Sequence, residues 1–201
     1  MIMNRLSDTV QISQKRTEEV RYFEIRNTKS FMASLLTKDT FRDFELSSAQ
    51  ITTFMTYTVD GAMHEEYLAA DGGDPDPGEP VRTPAGNTHD DDGKAHTGVF
   101  QMTPWPLAAP VIVSLIRGKT PPLSMKIILR LGNEPAAKLM SKADLSFPLT
   151  DIKGLFLNIT CDREKVTCIT GTSLSVFTTD KSVEHIWDEA AERFLGAFTE
   201  D

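Results

Sequence analysis

The stretch "GLFLNITCDREKVTCITGTSL", residues 154–174, decides the fold. Apolar and β-branched residues lie on both sides of a polar run, which predicts a β-hairpin with a two-residue loop at Arg163–Glu164. The glycine and hydroxyl residues near Ser173 resemble a nucleophile loop, but Ser175 stands where that motif requires a second glycine. The following residues, "LSVFTT", read as more strand and not as the helix the motif needs. We therefore expect sheet here and no catalytic serine.

The same hairpin places the two cysteines of the chain. With this loop, Cys161 faces Val166 and Cys168 faces Ile159, so both thiols lie on one face of the sheet. No CxxC motif is present, which fits a reducing compartment and argues against a disulfide-stapled or zinc-stapled fold. The chain has no apolar run of bilayer length and no apparent secretory signal. We expect a cytoplasmic protein without a membrane partner.

The acidic charge is concentrated in one part of the chain. The 201 residues carry a formal charge of -8, and residues 60–92 contain ten acids against Arg82 alone, a net of −9. Residues 71–96 also hold five glycines and four prolines, which predicts an acidic flexible insertion. Residues 1–19 are polar and weakly patterned, and we expect them to form an N-terminal extension. The acidic pI then does not exclude a polyanion partner, because the rest of the chain is nearly neutral.

Helices and strands alternate in the first half, about residues 20–70. "VRYFEIRN" has the composition of a strand, and "TKSFMASLL" follows as a helix with Asn27 or Thr28 as its N-cap. The stretch "DFELSSAQITTFMTYTVDG" is interpreted as two strands with a turn at residues 47–50. The residues "AMHEEYL" are interpreted as a third strand.

The second half, about residues 97–198, repeats this mixture. "TGVFQMT" predicts a strand, and "PWPLAAPVIVSLIRG" a helix that ends with Gly118 as a left-handed cap and that kinks or begins at Pro110. "LSMKIILRL" predicts a strand and "NEPAAKLMSKAD" a short helix. The last helix begins after Asp180 as its cap. Its apolar stripe comprises Val183, Ile186, Trp187, Ala190, Phe194 and Phe198. The expected fold is a single α+β domain over residues 20–198, with a mostly antiparallel sheet and flanking helices.

A run of ligand-type residues lies inside the acidic insertion. "HDDDGKAH" offers His89, Asp91 and His96 as ligands for a divalent cation. Fixing ligands in a solvated loop costs much conformational entropy, so we favour a loop without metal and expect no cofactor. The remaining enzymatic interpretation is a metal-dependent one that uses His64, His89 and the residues 90–92.

Positive charge collects in the middle of the chain. No acid occurs from Gly93 to Asn133, while Lys94, Arg117, Lys119, Lys126 and Arg130 contribute five positive charges. Lys126 and Arg130 share a strand face with Ile128, opposite the apolar face. The plain interpretation is a solvated sheet face. The functional interpretation is a phosphate-contacting surface made of Arg117, Lys119, Lys126 and Arg130.

Two stretches run through the same succession of elements. "DFELSSAQITTFMTYTVDG" and "GLFLNITCDREKVTCITGTSLSVFTTD" are each preceded by a strand and a helix, so the order β-α-β-β-β occurs twice. This unit resembles the repeated module of the DNA sliding clamps, although Ser173 replaces the acid at the corner. The resemblance implies two βαβββ-like, clamp-like halves. "TTFMTYTVDG", "SLIRGKTPPLSMKI" and "GTSLSVFTTDKSVEHIWDE" resemble an uncharacterised clostridial-type bacterial family of unknown function over about residues 20–198.

These observations support a binding role more than catalysis. No set of catalytic residue types occurs at mechanistic spacing, so we expect a protein that is not an enzyme. The first hypothesis is a clamp-like binding or scaffolding protein that contacts nucleic acid and self-associates. The second is a regulatory protein-interaction module without nucleic acid. The third is the metal-dependent enzyme described above.

Overall fold

The computed structural model describes residues 21–64, 102–118, 120–141, 145, 148–163 and 165–199. Seven strands of these residues form one antiparallel sheet. They are β1 (Tyr22–Ile25), β2 (Phe44–Thr52), β3 (Thr56–Asp60), β4 (Thr103–Pro104), β5 (Ser124–Leu131), β6 (Ile152–Asp162) and β7 (Val166–Leu174). Their order across the sheet is β1-β7-β6-β5-β2-β3, and β4 extends the β3 side by pairing with β2.

Four α-helices accompany the sheet in this part of the chain. They are α1 (Thr28–Thr37), α2 (Trp105–Ile116), α3 (Asn133–Met140) and α4 (Ser182–Thr199), with 3-10 turns at Asp39–Phe41 and Leu149–Asp151. The fold is therefore α+β with an antiparallel sheet and flanking helices, as the sequence predicts.

Alternating side chains give the sheet two different faces. In β5, Met125, Ile127 and Leu129 are buried, while the side chains between them point to the opposite face. In β6, Leu155, Leu157 and Ile159 are buried in the same way. The helices cover this apolar face. We call the opposite face the open face, because no described helix lies over it.

Aromatic side chains join the helices to the sheet. Phe41 packs edge-on against Phe31 of α1 and Phe194 of α4, with ring centroids 5.8 and 5.0 Å apart. The indole of Trp105 donates to the Leu35 carbonyl at 2.7 Å, and that of Trp187 to the Phe156 carbonyl at 2.9 Å. Each buried indole thus has a hydrogen-bond acceptor, so these large rings fill the core without an unpaired polar atom.

Several local predictions are confirmed. Ile159 pairs with Cys168 and Cys161 with Val166, the register that the two-residue loop predicts. The Asn27 side chain accepts the Ser30 N–H at the start of α1, and the Asp180 carboxylate accepts the Ser182 N–H at the start of α4. On the α4 stripe, Val183, Trp187 and Phe198 are buried, and Ile186, Ala190 and Phe194 pack partly buried against the core. The sequence interpretation missed Ala191 and Leu195, which are buried as well.

The predicted turn at residues 47–50 is wrong. Strand β2 runs through these residues, with a register shift between Leu46 and Ser48 where the extra residue, Ser47, bulges out of the pairing. The chain reverses at Thr53–Met55 instead, where the Thr53 N–H donates to the Met55 carbonyl at 2.9 Å. Small polar residues suit both turns and bulges, and the pairing with β5 keeps them in the sheet.

Two element ends also differ from prediction. Helix α2 ends at Ile116 and continues into extended backbone at Arg117, and Gly118 has no left-handed conformation. The helix begins at Trp105, so Pro110 lies inside it. Strand β7 ends at Leu174, and "SVFTT" is not strand.

The predicted strand "AMHEEYL" is described only in part. Ala62 forms one isolated bridge with Met102, and residues 65–68 lie outside the described residues.

The clamp-like arrangement of two βαβββ units is not confirmed. Strand β1 pairs with β7 and not with β2, so the first strand of one predicted unit lies beside the last strand of the other. After β7 the chain continues into α4. Both predicted halves contribute strands to the same sheet.

Candidate functional site

One end of the sheet gathers two tight turns and the start of a strand. The register pairs Thr52 with Ser124 and Ser124 with Asp162, so the turn at residues 53–55, the first residues of β5 and the turn at residues 163–165 lie at the same end. We call this the turn end. Its two turns are three inter-strand spacings apart, or about 14 Å.

Three large apolar side chains are exposed at the turn end. Phe54 is 89% exposed, and Met55 and Leu123 are 50% and 41% exposed. The Leu123 N–H donates to the Thr52 carbonyl at 2.7 Å, which holds Leu123 beside the β2–β3 turn. A single exposed apolar residue is ordinary, but neighbouring ones at a protruding turn indicate a contact surface.

Cations also lie at the turn end. Lys126, Arg163 and Lys165 are exposed, and none of them makes an ion pair within the described part of the chain. Lys126 lies on the open face between Gln50 and Thr160, two uncharged partners in register. The Asp162 carboxylate accepts the Lys165 backbone N–H at 2.9 Å and shapes the turn. The turn end therefore combines apolar side chains with positive charge available to a ligand.

Arg130 differs from these three cations. Its Nε donates to Glu45 Oε2 at 3.0 Å, and the two side chains are only 12% and 19% exposed. Glu45 precedes Arg130 by 85 residues and reaches it because β2 and β5 are neighbours. The charge of Arg130 is thus already neutralised by a carboxylate.

The four predicted phosphate contacts therefore occupy different positions. Lys126 is exposed on the open face, and Arg117 follows α2, which packs on the other face. Arg130 is paired with Glu45, and Lys119 lies outside the described residues. Sequence reasoning missed Phe54, Met55 and Leu123, and it did not assign Arg163 and Lys165 to a site. A signal for Phe54 was present, since "TTFMT" places two large apolar residues among threonines.

The open face between the two ends is filled by side chains. A Cβ at Gly154 would lie 2.7 Å from the ring of Phe156 and 3.2 Å from Arg130 Cδ, so both side chains pack over this glycine. Asn158 donates to the Ile169 carbonyl at 3.3 Å, and Ile128 and Ile169 are half-buried. This region offers a surface for contact.

The opposite end of the sheet, which we call the loop end, comprises residues 149–151, residues 175–177 and the start of α4. Phe177 is 99% exposed, with Val176 and Leu149 at 40% and 41%. The hydroxyl of Ser175 donates to the Asp151 carboxylate at 2.8 Å, which joins the two loops. Lys181 pairs with Glu184 at 3.1 Å. Lys153 also reaches this end, where its ammonium donates to the Thr150 carbonyl at 3.3 Å. The loop end therefore exposes an aromatic ring at an end of the sheet that carries both carboxylates and cations.

The thiols and Ser173 have no nucleophilic setting. Burial raises the pKa of Cys168 to about 12, and burial together with Asp162 raises the pKa of Cys161. Thiols with raised pKa values stay protonated at neutral pH and react slowly. Ser173 pairs with Gly154 in the ladder of β6 and β7, which confirms the prediction of sheet.

The metal ligands suggested by the sequence lie mostly outside the described part of the chain. His89, Asp91 and His96 lie outside the described residues, and His64 is exposed. Within the described ranges, no group of three or more His, Cys, Asp or Glu side chains is placed to hold a metal ion. None of the described helices is long and apolar enough to cross a membrane.

Comparison with known proteins gives a family without an activity. The chain matches the model of a family of unknown function, DUF5721, over residues 34–78 and 85–199, and it belongs to that family. No curated protein and no solved structure matches the chain significantly. The family membership confirms the predicted resemblance to an uncharacterised family, while a clostridial origin stays a prediction.

Proposed function

We propose that the protein is a non-enzymatic binding protein that contacts single-stranded nucleic acid through its turn end. The observation that carries the proposal is Phe54, 89% exposed at the tip of the β2–β3 turn, at an end of the sheet that also carries three cations without an ion pair in the described residues. An aromatic ring together with positive charge is the usual chemistry of single-strand binding.

The geometry favours an unpaired strand over a duplex. The ring of Phe54 can stack only on a base that is not already stacked inside a double helix. Stacking on an aromatic side chain contributes about 1–3 kcal/mol per base and tolerates any base. The second turn, with Arg163 and Lys165, lies about 14 Å away, far enough to contact the phosphates of neighbouring nucleotides. We therefore expect weak sequence preference.

The acidic total charge limits the expected affinity but does not oppose the site. The net charge of -8 is accounted for by residues 60–92. At the turn end, Lys126, Arg163 and Lys165 outnumber Asp162, the one carboxylate among its described residues. Three phosphate contacts on a single strand give a slope of log K against log salt of roughly −2, at about −0.7 per contact. Binding should therefore be measurable at low ionic strength and should weaken steeply as salt is added.

Fluorescence anisotropy with a labelled oligothymidine tests the proposal. We expect the full chain to bind this oligonucleotide at low salt, with the slope given above, and to bind a duplex of equal length more weakly. A matched pair of variants, Phe54→Ala and Phe177→Ala, separates the two exposed rings. The first should weaken binding, and the second should leave it unchanged.

Three outcomes would overturn the proposal. One is the absence of binding to oligothymidine at low salt. Another is equal binding to polyglutamate, which carries charge but no bases and would indicate a general cationic surface. The third is a loss of affinity in Phe177→Ala and none in Phe54→Ala. The third result would instead favour the protein-interaction module, with the loop end as its contact surface.

A further inference from the structure

We propose that the outer edge of β3 pairs with β3 of a second copy of this chain, so that two sheets join into one. Strand β3, Thr56–Asp60, lies at the end of the strand order and pairs on one side with β2. None of the described strands pairs with its other side. This inference is independent of the nucleic-acid proposal, because it uses backbone groups of β3 and not the turn end.

The sequence of β3 lacks the usual protection of an edge strand. Natural edges are interrupted by lysine, proline, glycine bulges or very short length. The five residues "TYTVD" contain three β-branched side chains and one aromatic one, and their pairing with β2 is regular from Thr56 to Asp60. Such a strand offers a row of hydrogen-bonding groups to another extended chain.

The direction of those groups follows from the register. The Thr52 carbonyl accepts from Leu123, so the backbone of Thr52 points toward β5 and away from β3. Because backbone groups alternate along a strand, Ile51 points toward β3 and exchanges hydrogen bonds with its partner Tyr57. The backbone groups of Thr56, Thr58 and Asp60 must then point outward, to the free edge.

This pattern makes the edge self-complementary. In an antiparallel pair of two β3 strands centred on Thr58, the outward residues meet as Thr58 with Thr58 and Thr56 with Asp60 of the second copy. Each outward residue then exchanges both its N–H and its C=O with its partner. A two-fold axis passes between the two Thr58 residues, as a closed dimer requires.

The side chains agree with the same register. Tyr57 and Val59 lie on the helix-covered side of β3, since they pair with Ile51 and Ala49. Across the dimer axis Tyr57 would face Val59 of the second copy, an aromatic and β-branched pair that stabilises sheets. Asp60 would face Thr56, so no like charges are opposed. The neutral centre of β3 contrasts with β1, the other edge, which carries Glu24 in a four-residue strand.

Proline substitution tests the edge without disturbing the fold. The Thr58 N–H points outward and makes no bond to β2, so Thr58→Pro removes only an edge donor. Thr58→Val is the matched control, because it keeps the N–H and the strand preference. In analytical ultracentrifugation we expect wild type and Thr58→Val to form a dimer of the 22.3 kDa chain. Thr58→Pro should dimerise at least about tenfold more weakly.

Cysteine cross-linking tests the register itself. In the proposed pair the two residues at position 58 have Cα atoms about 5.5 Å apart, within reach of a disulfide, whereas those at position 56 are about 14 Å apart. Thr58→Cys should therefore form a covalent dimer on mild oxidation, and Thr56→Cys should not. Wild type oxidised in the same way is the control for disulfides formed by the native Cys161 and Cys168.

Several results would overturn the inference. A wild-type chain that sediments as a monomer at submillimolar concentration would do so, as would equal cross-linking at positions 56 and 58. An unchanged dimer in Thr58→Pro would show that the copies meet elsewhere. If Thr58→Pro fails to fold, the cross-linking pair still decides the question. Loss of oligothymidine binding in Phe54→Ala leaves this inference untouched.

Discussion

The turn end and the loop end of the sheet each expose one phenylalanine, Phe54 and Phe177, yet their charges differ. At the turn end the cations have no carboxylate partner among the described residues. At the loop end Lys181 pairs with Glu184, and Asp151 is engaged by Ser175. An exposed ring alone is a poor indicator of function. The comparison shows that the charges at the same end of the sheet, and not the exposed ring alone, distinguish a surface suited to a polyanion from an ordinary apolar surface.

Charge reversal at the turn end has the largest expected effect on this comparison. Replacing Lys126, Arg163 and Lys165 by glutamate should lower the affinity for oligothymidine by roughly a hundredfold or more at low salt, because the phosphate contacts become repulsive. The control reverses an equal number of exposed lysines elsewhere: Lys38, Lys138 and Lys153. Fluorescence anisotropy measures both. An equal loss in the control would show that total charge, and not the turn end, governs binding.

Removing the two rings has the next largest effect. Phe54→Ala should weaken oligothymidine binding by about 5- to 150-fold, which corresponds to the 1–3 kcal/mol of one base stacked on an aromatic ring. Phe177→Ala should leave the affinity unchanged, since Asp151 and Glu184 put negative charge at that end of the sheet. Both side chains are almost fully exposed, so neither change should lower the melting temperature appreciably. Equal affinities for the two variants would abolish the distinction between the ends.

Arg130 sharpens the comparison by separating a structural cation from a ligand-binding one. Arg130→Gln should lower the free energy of unfolding by about 1–3 kcal/mol, because Glu45 is left half-buried without its charged partner. Oligothymidine affinity should not change. Urea unfolding gives the first quantity, and the double variant with Glu45→Gln measures the coupling between the two side chains. A clear loss of affinity at unchanged stability would return Arg130 to the binding surface.

The cysteines give the smallest effect, at alkaline pH. The pKa of Cys168 is raised to about 12 in the folded protein, above the ordinary value of 9.0 in the unfolded chain. The folded state therefore holds this proton more tightly, and its stabilising contribution is complete below pH 9 and declines as the pH rises toward 12. At pH 10 the loss is about 1.4 kcal/mol. Urea unfolding measures the free energy of unfolding of wild type and Cys168→Ala below pH 9 and at pH 10. This free energy should fall less in Cys168→Ala than in wild type.

Much of the fold could be predicted because it depends on neighbouring residues. The apolar alternation of β5, the cap at Asp180 and the loop at Arg163–Glu164 all involve residues close in sequence, and each prediction is confirmed. The predicted turn at residues 47–50 failed for the opposite reason. Serines there fit a turn locally, but pairing with β5, more than 70 residues later, keeps them in a strand.

The candidate site was less predictable. Lys126 and Arg130 have the same charge, and both were assigned to one face of β5. Only the neighbouring strand distinguishes them, since Glu45 of β2 neutralises Arg130, whereas the uncharged Gln50 lies beside Lys126. The exposure of Phe54 also depends on the true position of the β2–β3 turn. A sequence pattern cannot show this, because phenylalanine is usually buried.

The sequence by itself determined which segments become helix or strand and which side of each strand is apolar. Side-chain period and capping act over a few residues, so they can be recognised without the rest of the chain. The tertiary structure alone decided the strand order, the joining of β1 to β7, the pairing of Arg130 with Glu45 and the position of β3 at the end of the strand order. These features depend on which segments, distant in sequence, become neighbours in space. The packing of one common core determines which segments these are.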